Sequence, residues 1–146
     1  MSAYSVVLAV HIMGVVLAYG LTLTYPVLIP YVRRHHPEAL PGLHDVQHLL
    51  NQRLTGPGTA VVLAAGIYLA TDSHQWDEPF VGVGLASILI IGAVGGAIIV
   101  PASKRMGELA GTPEYEHVYR RYMRAEVFLG VVVLVAIFFM AAKPGS

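Results

Sequence analysis

The sequence predicts an all-α, polytopic membrane protein, a single domain whose four transmembrane helices form an antiparallel bundle. The 146-residue chain is 55% hydrophobic and only 12% charged, whereas soluble domains carry roughly 25% charged residues. Its apolar residues lie in four charge-free runs, at residues 5–29, 54–71, 80–100 and 127–142. A spanning helix needs about 20 mostly apolar residues. These runs, with their immediate flanks, therefore predict four crossings.

The first crossing carries a single imidazole, His11. It lies roughly 9–10 Å along the helix, and an ionisable group at such a depth usually faces the bundle interior. Neutral imidazole binds iron, copper and zinc, so His11 is a candidate haem or metal ligand. Gly14, one turn along, would leave space for a flat macrocycle, and Met140 at matching depth is a candidate second axial ligand. Alternatively, His11 is a neutral histidine bonded to a carbonyl or hydroxyl of another helix.

The second crossing is expected to continue an amphipathic helix that begins near Leu43. Four apolar residues recur there at helical spacing, and polar residues occupy the other side; the apolar set is Leu43, Val46, Leu50 and Leu54. A kink is expected at residues 56–58, Gly-Pro-Gly. His44 and His48 have the i, i+4 spacing at which two imidazoles can bind one metal ion, and His117 could join them. Solvated histidines in a polar connection are the alternative.

The third and fourth crossings carry packing and capping signals. Gly92 and Gly96 form a small-x-x-x-small pair, which predicts close packing of the third crossing against another helix. The fourth helix is expected to start near residues 112–114, Thr-Pro-Glu, where a hydroxyl precedes proline and an acid. We expect it to enter lipid near Val127 and to end near Ala142.

The distribution of cations predicts the orientation. Eight of the nine lysines and arginines lie in the connections after the first and third crossings. The positive-inside rule places both long connections in the cytoplasm and both termini outside. The chain is therefore predicted to be integral to the inner (cytoplasmic) membrane, N-out and C-out.

Several classes of protein are excluded or disfavoured. The chain has no cysteine, which excludes disulfides and iron–sulfur clusters. A net formal charge of zero and the lack of RNA-binding motifs argue against a nucleic-acid partner. No P-loop, dinucleotide fingerprint or HExxH motif occurs, and no carboxylate lies within a predicted crossing. We expect no independent catalytic activity.

Three short motifs carry a family resemblance: His11-x2-Gly14-x5-Gly20, Gln52-Arg53-Leu54-x-Gly56-Pro57-Gly58 and Gly66-Ile67-Tyr68-Leu69-Ala70. With them the chain resembles a family of small uncharacterised bacterial four-helix integral membrane proteins, similar to CopD-type copper-resistance membrane domains and HemJ-type protoporphyrinogen oxidases. The resemblance implies a four-helix bundle in which His11 is a haem ligand. The third crossing lacks the lysine of the HemJ-type oxidase, which argues against protoporphyrinogen oxidation.

Three functional hypotheses follow. The first is a b-type haem-binding membrane protein with an electron-transfer or haem-related role, in which His11 supplies an axial ligand. The second is a cofactor-free accessory subunit that packs into a larger membrane complex through its glycine-rich third crossing. The third is a carrier of copper or another metal that uses His44, His48 and His117. The expected partners are the lipid bilayer and either further copies of the chain or a larger membrane complex.

Overall fold

The computed structural model describes residues 1–145, and these form four long helical segments with no β-strand among them. The segments are Ala3–His35, Pro37–Asp72, Pro79–Leu109 and Tyr115–Ala142. Each is long and apolar enough to cross a membrane. The all-α fold class and the four membrane helices predicted from the sequence are therefore confirmed.

Two of the four segments are interrupted by irregular turns. The first segment is α1 (Ala3–His35) and the last is α6 (Tyr115–Ala142). The second runs through a short 3-10 turn (Pro37–Ala39), α2 (Leu40–Leu50), a π turn (Asn51–Thr55) and α3 (Gly56–Asp72). The third contains α4 (Pro79–Val94), a π turn (Gly95–Ile99) and α5 (Val100–Leu109).

Each π turn lies just before a proline. Pro57 and Pro101 have no backbone N–H and therefore cannot donate to the carbonyls of Arg53 and Ala97, four residues earlier. A widened turn accommodates the missing bond without ending the helix. The sequence predicts a kink at residues 56–58; these residues are helical in α3, and the irregular turn lies just before them, at Asn51–Thr55.

The first helix is longer than its apolar run. It continues through Pro26 and Pro30 and ends at His35, six residues beyond the predicted boundary at residue 29. Arg33 fixes this extension, because it forms an ion pair with Glu116 of α6 and lies over the Tyr119 ring, 4.4 Å from its centroid. This end of α1 is therefore attached to the beginning of α6.

The close contact between α1 and α3 depends on glycine and alanine, which have little or no side chain. A Cβ atom on Gly58 would lie 2.9 Å from the Cβ of Ala18, and one on Gly14 would lie 2.9 Å from Cγ2 of Val62. Along α1 these two contacts run from Gly14 to Ala18, while along α3 they run from Val62 back to Gly58. Close backbone approach through small residues is how membrane helices associate without a hydrophobic driving force between them.

The polar side of α2 faces the interior of the bundle, a choice of face that the sequence pattern did not predict. His44 and Gln47 are buried, as is Asn51 just beyond the end of the helix, whereas Val46 of the apolar set is 52% exposed. The helix packs its polar face against α5 and α6. In a membrane bundle lipid is the apolar surroundings, so polar side chains find their partners in the interior.

Two other local expectations are not met within the chain. Gly92 and Gly96 are exposed, and nothing among residues 1–145 lies within 4 Å of the position that a Cβ would take on either. Their helix therefore makes no close contact there within the chain. Thr112 does not cap α6; its hydroxyl donates to the Leu109 carbonyl, 2.7 Å away, and α6 begins at Tyr115. The end of α6 at Ala142 is as predicted.

We predict that Gly58→Ala destabilises the protein while Gly20→Ala does not. The added methyl group at residue 58 meets Ala18, so overpacking is expected to lower the free energy of unfolding by about 1–3 kcal/mol. Gly20 has open space around it, and alanine there should be neutral or stabilising by about 0.5–1 kcal/mol because of its higher helix propensity. Unfolding of the purified variants in detergent measures both. Equal effects would contradict the packing described for α1 and α3.

Candidate functional site

An apolar cavity of about 420 Å³ lies at the end of the bundle that holds the start of α1 and the end of α6. Its wall is formed by α1, α3, α4, α6 and the turn after α3. Val62, Ile88 and Val133 represent the aliphatic part of that wall, and Trp76 stands at its edge. We call this space the apolar cavity. Concave, mostly apolar sites with a few polar groups are where proteins bind small molecules and cofactors.

His11 lines the apolar cavity and is held by a single hydrogen bond. Its Nδ1 lies 3.0 Å from the carbonyl oxygen of Val62. A carbonyl oxygen only accepts, so Nδ1 carries the proton and donates it. The other nitrogen, Nε2, then keeps its lone pair, and it has no hydrogen bond among the described residues. Donation of one ring N–H to a backbone carbonyl is how ligating histidines are oriented.

The packing of α3 leaves room for this imidazole. A Cβ atom on Gly66 would lie 3.3 Å from Cε1 of His11. That separation is tighter than ordinary van der Waals contact, so the ring lies directly against the backbone of α3. His11 is thus fixed both by the hydrogen bond to Val62 and by the flat surface at Gly66.

Met140 and Lys143 line the same cavity at the end of α6. The Met140 side chain packs onto Gly84 of α4. Lys143 ends α6 in a left-handed conformation, and its ammonium lies 4.8 Å from the centroid of the Phe80 ring. The cavity therefore combines an imidazole, a thioether and one cation in otherwise apolar surroundings.

Gly14, the third residue of the predicted haem site, lies elsewhere. It is buried against Val62 at the α1–α3 contact and is not part of the cavity wall. The space beside it is filled by the valine side chain. The glycine that makes room for the imidazole is Gly66, which the sequence motif contains but which spacing along α1 could not reveal.

The three histidines of the metal-carrier hypothesis do not come together. His44 is fully buried with both ring nitrogens hydrogen-bonded, His48 is bonded through Nδ1 to Ser103 Oγ at 3.2 Å, and His117 is exposed on α6. No group of three or more His, Asp or Glu side chains suited to a metal ion occurs in residues 1–145. The structure therefore offers no support for a metal site at these residues.

His44 belongs instead to a polar network in the opposite half of the bundle. We define this network as Tyr115, His44, Gln47, Tyr122 and Glu126. The Tyr115 hydroxyl lies 2.8 Å from His44 Nε2, and His44 Nδ1 lies 2.9 Å from Gln47 Oε1. Gln47 Nε2 donates to the Tyr122 hydroxyl. All five side chains are buried.

The donors of the polar network all point the same way. An amide oxygen only accepts, so His44 donates from Nδ1, and its Nε2 must accept from Tyr115. Gln47 then donates to the oxygen of Tyr122, which leaves the Tyr122 hydrogen free to be donated. Glu126 lies one turn along the same face of α6, where its carboxyl group is placed beside the end of the network.

Glu126 is the residue that the sequence analysis missed. It is 2% exposed and lies one residue before the predicted fourth crossing. No carboxylate is expected within a crossing, and the sequence has none there, but this buried one lies directly beside it. Thr22 of α1 is its neighbour. The signal was available in the i, i+4 spacing of Tyr122 and Glu126 on one helix face.

Three buried polar atoms have no hydrogen-bond partner among residues 1–145: Glu126 Oε2, the Tyr25 hydroxyl and Asn51 Nδ2. Such groups are costly inside a membrane bundle unless water or another group satisfies them. Glu126 also lacks a cationic partner in the described part of the chain.

Comparison with known proteins identifies no relative. No protein-family model matches the chain, and no curated protein or solved structure matches it at a significant level.

We predict that Tyr115→Phe lowers the free energy of unfolding by about 1–3 kcal/mol, because it leaves His44 Nε2 buried without a partner while keeping the ring. Tyr68→Phe is the matched control, since Tyr68 is 41% exposed; it should change stability by less than about 0.5 kcal/mol. Unfolding in detergent measures both variants. A Tyr115→Phe protein as stable as the control would show that the network contributes nothing to stability.

Proposed function

We propose that the protein is a membrane-embedded b-type haem-binding protein, with His11 Nε2 as an axial ligand of a haem seated in the apolar cavity. The observation that carries the proposal is the geometry of His11. Its Nδ1 proton is committed to the Val62 carbonyl while the ring lines a cavity of about 420 Å³. A neutral imidazole oriented through its other nitrogen is the form that binds iron.

The remaining groups of the cavity suit the same cofactor. The apolar wall matches the porphyrin ring, and Met140 offers a thioether as a second axial ligand, a combination that raises the potential of haem iron. Lys143 supplies a cation for a propionate. The chain has no cysteine and so cannot attach haem through thioethers, which is why the b-type, non-covalent form is proposed. When bound, haem would supply one-electron chemistry.

The proposed setting is a bacterial inner membrane, with an antiparallel bundle and both termini outside. The support is the cation distribution along the chain and the order of contacts between α1 and α3. In this orientation the apolar cavity opens near the outer surface, and the polar network lies toward the cytoplasm. An electron-transfer or haem-related role would then be exercised at the outer side.

We predict that haem b added to the purified protein in detergent shows a Soret band shifted and sharpened relative to free haem in the same detergent, saturating with the amount of protein. His11→Ala should weaken haem binding by at least about tenfold, since it removes the oriented ligand. Met140→Leu should retain binding but change the spectrum toward a five-coordinate iron.

His35→Ala is the matched control. His35 Nδ1 makes the same type of bond to a backbone carbonyl, that of Tyr31 at 3.0 Å, but its ring is exposed and remote from the cavity. Haem binding by this variant should equal that of the unaltered protein. A Soret band that stays at the position of free haem when the unaltered protein is added, or a shift that His11→Ala leaves unchanged, would refute the proposal.

A further inference from the structure

A second concave site lies on the opposite half of the molecule, between α6 and the junction of α4 with its π turn. It is a groove of about 570 Å³. Its polar wall consists of the cations Arg120, Arg121 and Arg124 together with His117, all on α6. We call it the arginine groove. None of the residues that line it is an aspartate or a glutamate.

Two of the three arginines in the groove have no ion-pair partner in the described part of the chain. Arg120 donates to Glu116 at 3.0 Å, and that carboxylate is shared with Arg33. Arg121 and Arg124 take part in no ion pair within residues 1–145. Both are exposed, and their i, i+3 spacing places them on one face of α6. The groove thus presents at least two free guanidinium groups together.

The side chains that line the groove change from cationic to apolar along its length. Its other wall is apolar and includes Val94, Ile98 and Phe128. Phe128 is 49% exposed and lies seven residues beyond Arg121, or roughly 10 Å farther along the helix. Cations therefore occupy the end near the start of α6, and exposed apolar side chains follow in the direction of the membrane interior. A phospholipid has the same polarity gradient, from phosphate to acyl chain.

We propose that the arginine groove binds an anionic phospholipid, with the phosphate between Arg121 and Arg124 and an acyl chain along Phe128 and Ile98. Arginine forks match the geometry of phosphate oxygens. Basic pockets between transmembrane helices at the membrane surface are suited to anionic head groups. The charge complementarity selects an anionic lipid over a zwitterionic one, and the apolar wall selects a lipid over a soluble anion.

The test is a titration of the detergent-purified full chain with phosphatidylglycerol, with binding followed by native mass spectrometry. The double variant Arg121→Gln/Arg124→Gln should bind phosphatidylglycerol about 25-fold more weakly, because each arginine near an anionic surface contributes about a fivefold factor. Phosphatidylcholine should bind weakly to both proteins. Added inorganic phosphate at the same concentration should not displace the lipid.

The matched control is the double variant Arg34→Gln/Arg105→Gln, which removes the same charge from exposed arginines outside the groove. It should bind phosphatidylglycerol as the unaltered protein does. An equal loss in the control would show that only overall charge matters, and equal binding of phosphatidylcholine would remove the requirement for an anion. Complete displacement by inorganic phosphate would identify a soluble-anion site, and each of these results would overturn the proposal.

Discussion

The fold depends on satisfying polar side chains inside a structure that lipid surrounds. Hydrocarbon offers no hydrogen-bond partner, so a buried amide or hydroxyl must find one within the protein. The polar network meets this requirement for Tyr115, His44, Gln47 and Tyr122 and joins α2 to α6, whereas Glu126 Oε2 has no partner within residues 1–145. Because every donor points the same way, each hydrogen bond sets the donor and acceptor roles in the next one. The second and fourth helical segments are thereby fixed relative to one another in a way that apolar packing alone would leave free.

His44 and His11 lie in different halves of the bundle and differ in how many of their ring nitrogens are hydrogen-bonded. His44 has both nitrogens bonded to side chains, and its ring is completely buried. His11 has one nitrogen bonded to a carbonyl, and its ring lines an open cavity. The first histidine is saturated and serves the architecture of the bundle. The second has a remaining lone pair and lies in the wall of the apolar cavity, which is what the proposed haem ligation requires.

The sequence predicts the helical segments better than it predicts their faces. Charge-free runs fix where helices cross, because hydropathy and length are local properties, and α6 ends at Ala142 as expected. The depth argument that paired His11 with Met140 agrees with their lining one cavity. The burial of the polar side of α2 and of Glu126 depends on which helices become neighbours. Spacing within one helix does not carry that information. Gly66 was likewise recognisable as a contact for His11 only once α1 and α3 were paired.

The π turns before Pro57 and Pro101 make the two central segments sensitive to the number of residues rather than only to their type. One residue more or less in an α-helix turns everything beyond it by about 100°. Deleting a single residue from Asn51–Thr55 would therefore rotate α2 relative to α3 by that angle. The buried side chains of α2 would no longer face the interior, although the segment would be only one residue shorter. These turns set the rotation of one helix relative to the next. A natural insertion or deletion there would therefore change which side chains meet in the interior without substituting any of them.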